Sequence, residues 1–387
     1  MRSGTARWLA PMAGGLGWLA PLCGLAAQQR VLPPAPLPAA VDTDPSTEGK
    51  GLAALQASVD RGLAWLAAQQ RPSGGWLADV GFKQGDAYVV ELDTQALARL
   101  DRAHVGVSSL CGLAFLAGGN LPGRGRYGPN VRKVLDYVLA HTGENGLVSD
   151  ADTVMYSHAF ATLFLAQVHG MVREDRVRRG LESAVHIILD TQNAQGAWRY
   201  TPFTQEADLS VTVCQLQALR AAHNVGIRVP RSAMDRAVEY VRASRVERGA
   251  WTGLFYYKIR GRGAYSKSRD YAINAAAVTS LFSAGVYEEP LYGRALRFLG
   301  DEYRGMREYY ADHFYYWYGN YYAAQALHHA GGERWQQYRD RLTADLLALQ
   351  QDDGRWLNRE GPGDAFATAV ACLVLQIPFQ YLPIFQR

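Results

Sequence analysis

Two kinds of apolar segment alternate along residues 51–387. One kind is apolar nearly all round: Ser108–Ala117, Met155–Ala166, Ser210–Leu219, Ala272–Ala284, Tyr321–Ala330 and Ala367–Leu375. The other carries charge on one face, as in Arg173–Leu189 and Met234–Ala243. A helix that is apolar all round must be buried, and one with a charged face lies outside. Six of each in alternation predict two concentric layers. No stretch alternates apolar and polar residues for long enough to build a sheet. The expected fold class is all-α, an α/α toroid of six helix pairs. Cys111, His158, Cys214, Ala276, Ala324 and Cys372 are expected in its inner ring. An open solenoid is the alternative. It needs polar caps at both ends, and the C-terminal run Ile377–Phe385 is apolar. That tail is expected to pack against the first repeat and help close the ring.

The turns between helices carry a repeated signature. Gln70–Trp76, Gln192–Trp198 and Gln350–Trp356 each read Gln-x-x-x-Gly-x-Trp, and each follows an apolar helical run. Gly releases the chain into left-handed space at a helix end. The Trp presents a large apolar face that must be buried. The Gln is placed to hydrogen-bond loop backbone or the next repeat. Arg245–Trp251 reads as a worn copy. The spacing fits a period of roughly 50–60 residues. It predicts further repeats near 121–170, with a turn at Gly143–Leu147, and near 289–332.

The motif and its paired helices resemble the prenyltransferase/squalene-oxidase repeat, shared by protein prenyltransferase β subunits and triterpene cyclases. The similarity spans 51–387. Tyr315–Tyr322, Gly331–Trp335 and Tyr381–Pro383 further resemble exported bacterial proteins of this repeat class. The resemblance implies the toroid; its motifs are specific for the repeat rather than for a reaction.

Composition changes the picture mainly at the N-terminus. Arg2 and Arg7 precede the apolar run Trp8–Ala27, broken by Pro and Gly and ending in small residues. Residues 1–27 read as a signal peptide and 28–50 as a flexible, Pro-rich linker. The protein is therefore expected to be exported, periplasmic or extracellular. Bulky Leu22 argues against a lipid anchor on Cys23. The formal net charge is +4, and the basic residues at Arg173–Arg179 and Arg228–Arg248 read as solvated faces. Nucleic acid is not an expected partner, nor is a membrane span after signal removal, and a monomer is expected. Cys111, Cys214 and Cys372 read as buried hydrophobes rather than a disulfide framework.

Chemistry is then sought where the two families would place it. The cyclases use an Asp-x-Asp-Asp-Thr box; here Asp150-Ala-Asp152-Thr153 is one Asp short, and an N-cap role competes with it. The prenyltransferases bind zinc through an Asp-x-Cys pair, which this sequence lacks. No metal and no cofactor are expected. His158, on an apolar helix, is a candidate ligand contact or a core histidine. A third set gathers at inner-helix starts. It comprises Arg269, Asp270, Tyr271 and Asn274, then Asp312, His313, Tyr316 and Trp317, then Asp364. Inner-helix starts all face one mouth of a toroid, so these residues are expected to converge there. Asp150, Asp152 and Asp312 are the candidate catalytic carboxylates. The remaining residues of the three sets are candidate ligand contacts, with aromatic packing and helix capping as the competing roles.

Two insertions, 77–103 and 252–270, lengthen their turns, and the second is expected over the mouth. The expected function is ligand binding at the mouth or cavity of the ring. The alternative is a small-cavity enzyme acting on an isoprenoid or a glycan. A deep shared cavity would favour the enzyme. An axis filled by inner-helix aromatics, with only the rim open, would favour binding.

Overall fold

Among the described residues, twelve α-helices follow one another in the order the hydrophobic pattern predicts. The structure, a computed structural model, describes residues 45–78, 83–84, 87–88, 103–150, 154–259 and 270–386. The outer helices are α1 (Pro45–Gln69), α3 (Gly128–Ala140), α5 (Asp175–Asp190), α7 (Arg231–Ala243), α9 (Glu289–Tyr310) and α11 (Gly332–Leu349). The inner helices are α2 (Val105–Ala117), α4 (Val154–Met171), α6 (Leu209–Asn224), α8 (Tyr271–Ser283), α10 (Phe314–Ala330) and α12 (Asp364–Gln376). Every residue of α2 is buried, whereas α5 buries only the stripe Val177, Leu181, Ala184, Val185, Ile187 and Ile188. A two-residue antiparallel pair, Lys83–Gln84 with Ala87–Tyr88, lies in the first insertion.

Each inner helix packs on the next, and α12 packs on α2, so the inner ring closes. The fold is an α/α toroid. Cys111, His158, Cys214, Ala276, Ala324 and Cys372 all lie buried on inner helices. At the seam, the Cα of Gly62 on α1 lies against Cys372 and the ring of Trp356, where an added Cβ would fall closer than 3.0 Å to both. Gln350 bonds Ser58 and Arg61 across the same seam.

The C-terminal tail does not make this closure, contrary to expectation. Its two 3-10 turns, Ile377–Phe379 and Pro383–Phe385, pack against α10 and α6. His328, near the C-terminal end of α10, meets the Phe385 carbonyl at 3.1 Å. Leu382 and Phe385 are buried there, so the apolar tail covers the end of the ring where the inner helices finish.

The three Gln-x-x-x-Gly-x-Trp turns are built alike. The Gln side-chain amide donates to its own Gly carbonyl and to a carbonyl of the neighbouring outer helix: Gln70 to Gly74 and Asn130, Gln192 to Gly196 and Ala233, Gln350 to Gly354 and Ser58. The indole N–H of Trp76, Trp198 and Trp356 returns to the carbonyl of Leu66, Ile188 and Leu346. Gly74, Gly196 and Gly354 have positive φ. A Cβ on any of them would lie closer than 3.0 Å to main chain of the next outer helix, at Lys133, Arg236 and Arg61. The Gly therefore serves both conformation and close approach.

Gly146 makes the same approach to Ser183, as the hidden repeat at Gly143–Leu147 requires. The worn copy is displaced from its expected position. Gly249 approaches nothing, and Trp251 is 39% exposed. The packed glycine is Gly253, against Arg294, and Phe255 fills the place of the Trp. The reason is spatial: only Gly253 lies beside the next outer helix.

Candidate functional site

The turn strand of each repeat is held by one side chain in the first turns of an inner helix. The N–H of Trp76, Trp198 and Trp356 donates to Ser108 Oγ, Thr212 Oγ1 and Thr368 Oγ1. The N–H of Val148 donates to His158 Nδ1 at 3.0 Å, and that of Phe255 to Asn274 Oδ1 at 2.9 Å. His158 and Asn274 thus occupy the same place in their repeats as the three hydroxyls. The other ring nitrogen of His158 meets the Ala184 carbonyl at 2.9 Å. Burial lowers its pKa to about 4, so the ring is neutral in the folded protein near pH 7.

The candidate aspartates lie at inner-helix starts and hold backbone there. Asp150 accepts the N–H of Val105, the first residue of α2, at 2.5 Å. Asp270 caps α8 through the N–H of Ile273. Asp364 accepts the N–H of Asn358, whose side-chain amide reaches the main-chain carbonyl of Asp312. Asp312 and Asp364 are therefore brought together through one asparagine. No described hydrogen bond or ion pair joins Asp150 or Asp270 to them. Asp152 and Arg269 lie outside the described residues. His313 accepts the N–H of Tyr315 and sits 3.5 Å from Glu360, and burial lowers its pKa.

Three of the aromatic candidates turn between the helical layers. The hydroxyl of Tyr271 donates to Asn320 and meets Tyr338 of α11. That of Tyr316 meets Tyr303 of α9, which donates to Asp345. Both hydroxyls are fully buried, and burial holds them neutral well above the ordinary tyrosine range. Trp317 is buried and donates to the Leu357 carbonyl.

The axis of the ring is filled by the other tyrosines of the same helix. Phe160 of α4 meets Tyr321 of α10, the helix opposite, edge to face at 6.3 Å. Tyr322 meets Cys214 of α6 at 3.1 Å, and Gln217 donates to Gln325. Tyr321 and Tyr322 are buried.

At the mouth lies a cluster that the sequence reasoning missed. Asp208 caps α6, accepting from the N–H of Val211 and from Ser210. Its other oxygen pairs with Arg199, which also donates to the hydroxyl of Tyr257 at 2.9 Å and lies over the ring of Tyr200. The hydroxyls of Tyr200 and Tyr257 bond each other. Tyr156 reaches in from α4 to Ser210 at 2.7 Å, and Tyr318 from α10 to the Ser210 carbonyl at 2.8 Å. Asp208 is fully buried, while Arg199 and the four tyrosines are partly exposed. Lys258 pairs with Glu206 at 2.5 Å. Burial raises the tyrosine hydroxyls, Tyr257 to about 12, so all four are protonated donors near neutral pH. Tyr257 belongs to the 252–270 insertion, and its carbonyl receives the N–H of Leu209 at the start of α6. The insertion up to residue 259 thus folds onto the mouth; 260–269 lie outside the described residues. Asp208 meets the same criterion that selected the other aspartates, a carboxylate opening an inner helix. Arg199 and the tyrosines share no motif spacing.

No family model and no curated protein matches the sequence. Solved structures match over most of the chain. The GH76A alpha-1,6-mannanase from Salegentibacter sp. HEL1_6 is 8% identical, with a TM-score of 0.57, covering 83% of this chain and 98% of that one. A family 76 glycoside hydrolase from a bovine Bacteroides thetaiotaomicron strain is 9% identical, with a TM-score of 0.58, covering 84% and 77%. A D-mannose isomerase is 13% identical, with a TM-score of 0.55, covering 83% and 96%. At these identities the likeness is one of fold, the α/α toroid. Among the described residues, no helix is long and apolar enough to cross a membrane.

Proposed function

We propose that this exported toroid binds a neutral oligosaccharide at the mouth formed by its inner-helix starts. The observation that carries the reading is the cluster around Arg199 and Asp208. Tyr200 and Tyr257 lie against a guanidinium whose charge a buried carboxylate offsets, and Tyr156, Tyr318 and Ser210 gather at the helix start that the same carboxylate caps. A polyhydroxylated ligand matches this pattern, since it offers paired donors and acceptors and an apolar ring face for the tyrosines. An isoprenoid diphosphate matches it less well, because Arg199 and Lys258 already pair with Asp208 and Glu206. The filled axis supports binding over chemistry in a deep cavity. Sugars are also named as the substrates of toroids with this fold, one solved as an inactive variant in complex with alpha-1,6-mannotetrose.

The test is a calorimetric titration with neutral oligosaccharides, alpha-1,6-mannotetrose first, on the wild type and on Tyr200→Phe with Tyr257→Phe. Each lost hydroxyl removes a hydrogen bond of about 0.5–1.5 kcal/mol. Affinity is therefore expected to fall about tenfold in the double variant, with little change in melting temperature. Equal affinity in both proteins would place the ligand elsewhere.

A further inference from the structure

Residues 199–207 form a loop whose two feet stand in the Arg199 cluster. At one foot the Tyr200 carbonyl accepts the N–H of Met155 at the start of α4, at 3.0 Å. At the other, Glu206 pairs with Arg199 and Lys258. The side-chain amides of Asn193 and Gln195 donate to the carbonyls of Glu206 and Gln205, at 2.8 and 2.7 Å. The turn Gln192–Trp198 thus fixes the loop from behind. At its apex the chain turns through Pro202 and Phe203, and the Thr204 hydroxyl donates to the Thr201 carbonyl at 3.3 Å. Proline suits its place, since its ring sets φ at about −65°. Phe203 does not suit its own. Its φ is 59°, a left-handed value at which a turn calls for Gly or Asn. A bulky side chain held there costs stability. Burial does not offset that cost, because Phe203 is 69% exposed. Folding alone therefore selects against phenylalanine at this position.

We propose that Phe203 is a stacking platform of the mouth, taking the apolar face of a sugar residue beyond the one that meets Tyr200 and Tyr257. This deepens the oligosaccharide reading and rests on it. The C–H face of a sugar ring is apolar, and an exposed aromatic face complements it. Three residues separate Phe203 from Tyr200, so their Cα atoms are at most about 11 Å apart. A short oligosaccharide bridges that span. The loop is already fixed at both feet, so binding orders little new backbone, which favours affinity. A residue that the fold disfavours and the ligand requires is the form that a trade of stability for function takes.

The experiment titrates alpha-1,6-mannotetrose into the full chain as wild type, Phe203→Asn and Phe203→Trp, and measures the melting temperature of each without ligand. Asparagine tolerates the left-handed backbone and removes the ring. Affinity of Phe203→Asn should fall about fivefold or more, as loss of an aromatic contact implies. Its melting temperature should stay level or rise, since the strained residue is gone. Phe203→Trp keeps an aromatic face and should retain wild-type affinity. If the wild type binds and Phe203→Asn binds equally well, the platform is overturned while the oligosaccharide reading stands. A lower melting temperature in Phe203→Asn also overturns it, because the ring would then serve the fold. A wild type that does not bind overturns both.

Discussion

Ser108, His158, Thr212, Asn274 and Thr368 show how one position in the repeat accepts four side-chain types. Each offers an acceptor to the N–H of the residue two past the turn glycine. Only the histidine titrates in the usual range. Its folded pKa, about 4, lies below the ordinary value near 6.5, because burial disfavours the cation. The unfolded chain therefore binds the extra proton first as pH falls. Stability from this site is complete above pH 6.5 and is lost as pH drops toward 4, by about 3 kcal/mol at one pKa unit per 1.36 kcal/mol. His158→Asn, which copies the Asn274 arrangement, should flatten that dependence. Urea unfolding of both proteins at pH 4.5 and 7 checks it. The expectation fails if the two lose stability in parallel. In sequence, a histidine on an apolar helix has the same appearance whether it holds a turn or a ligand. Asp150, Asp270 and Asp364 pose the same ambiguity, since capping and binding both select a carboxylate at a helix start.

At the scale of the turn, Gly and Trp act together. The glycine brings the turn against the next outer helix, and the indole ties it back to its own. Gly196→Ala puts a Cβ against Arg236 main chain at a φ of 82°. It should cost about 3 kcal/mol or more, from the strained conformation and the overlap together. Gly249→Ala in the displaced copy meets open space and should cost only the strain, about 1–2 kcal/mol. Chemical denaturation of the pair separates the two contributions, and equal losses would contradict the assignment of Gly253 as the packed turn. The three complete turns were legible because Gln, Gly and Trp keep the same spacing in each. The fourth was misplaced because Arg245–Trp251 copies the spacing, while the approach of α9 selects Gly253.

Across the whole molecule, ring closure and layer order were legible from alternation of apolar and half-apolar helices. What fills the ring was not. Tyr318, Tyr321 and Tyr322 meet α4 and α6, and nothing local in the sequence announces a contact between inner helices that are not neighbours. The same holds for Tyr156, Tyr200 and Tyr257, which converge from three repeats on Arg199 and Asp208. The tail was read as packing on the first repeat; Ile377, Leu382 and Phe385 are buried, but its turns pack on α10 and α6, and Tyr381 is exposed. A toroid whose inner helices meet across the axis should hold an oligosaccharide at its rim without cleaving it. The most direct measurement is mass-spectrometric analysis of alpha-1,6-mannotetrose after prolonged incubation with the protein, alongside the titration that reports binding. Saturable binding with the tetrasaccharide recovered intact is the expected result. Shorter or rearranged sugars in the mixture would contradict it, showing that the mouth carries out chemistry.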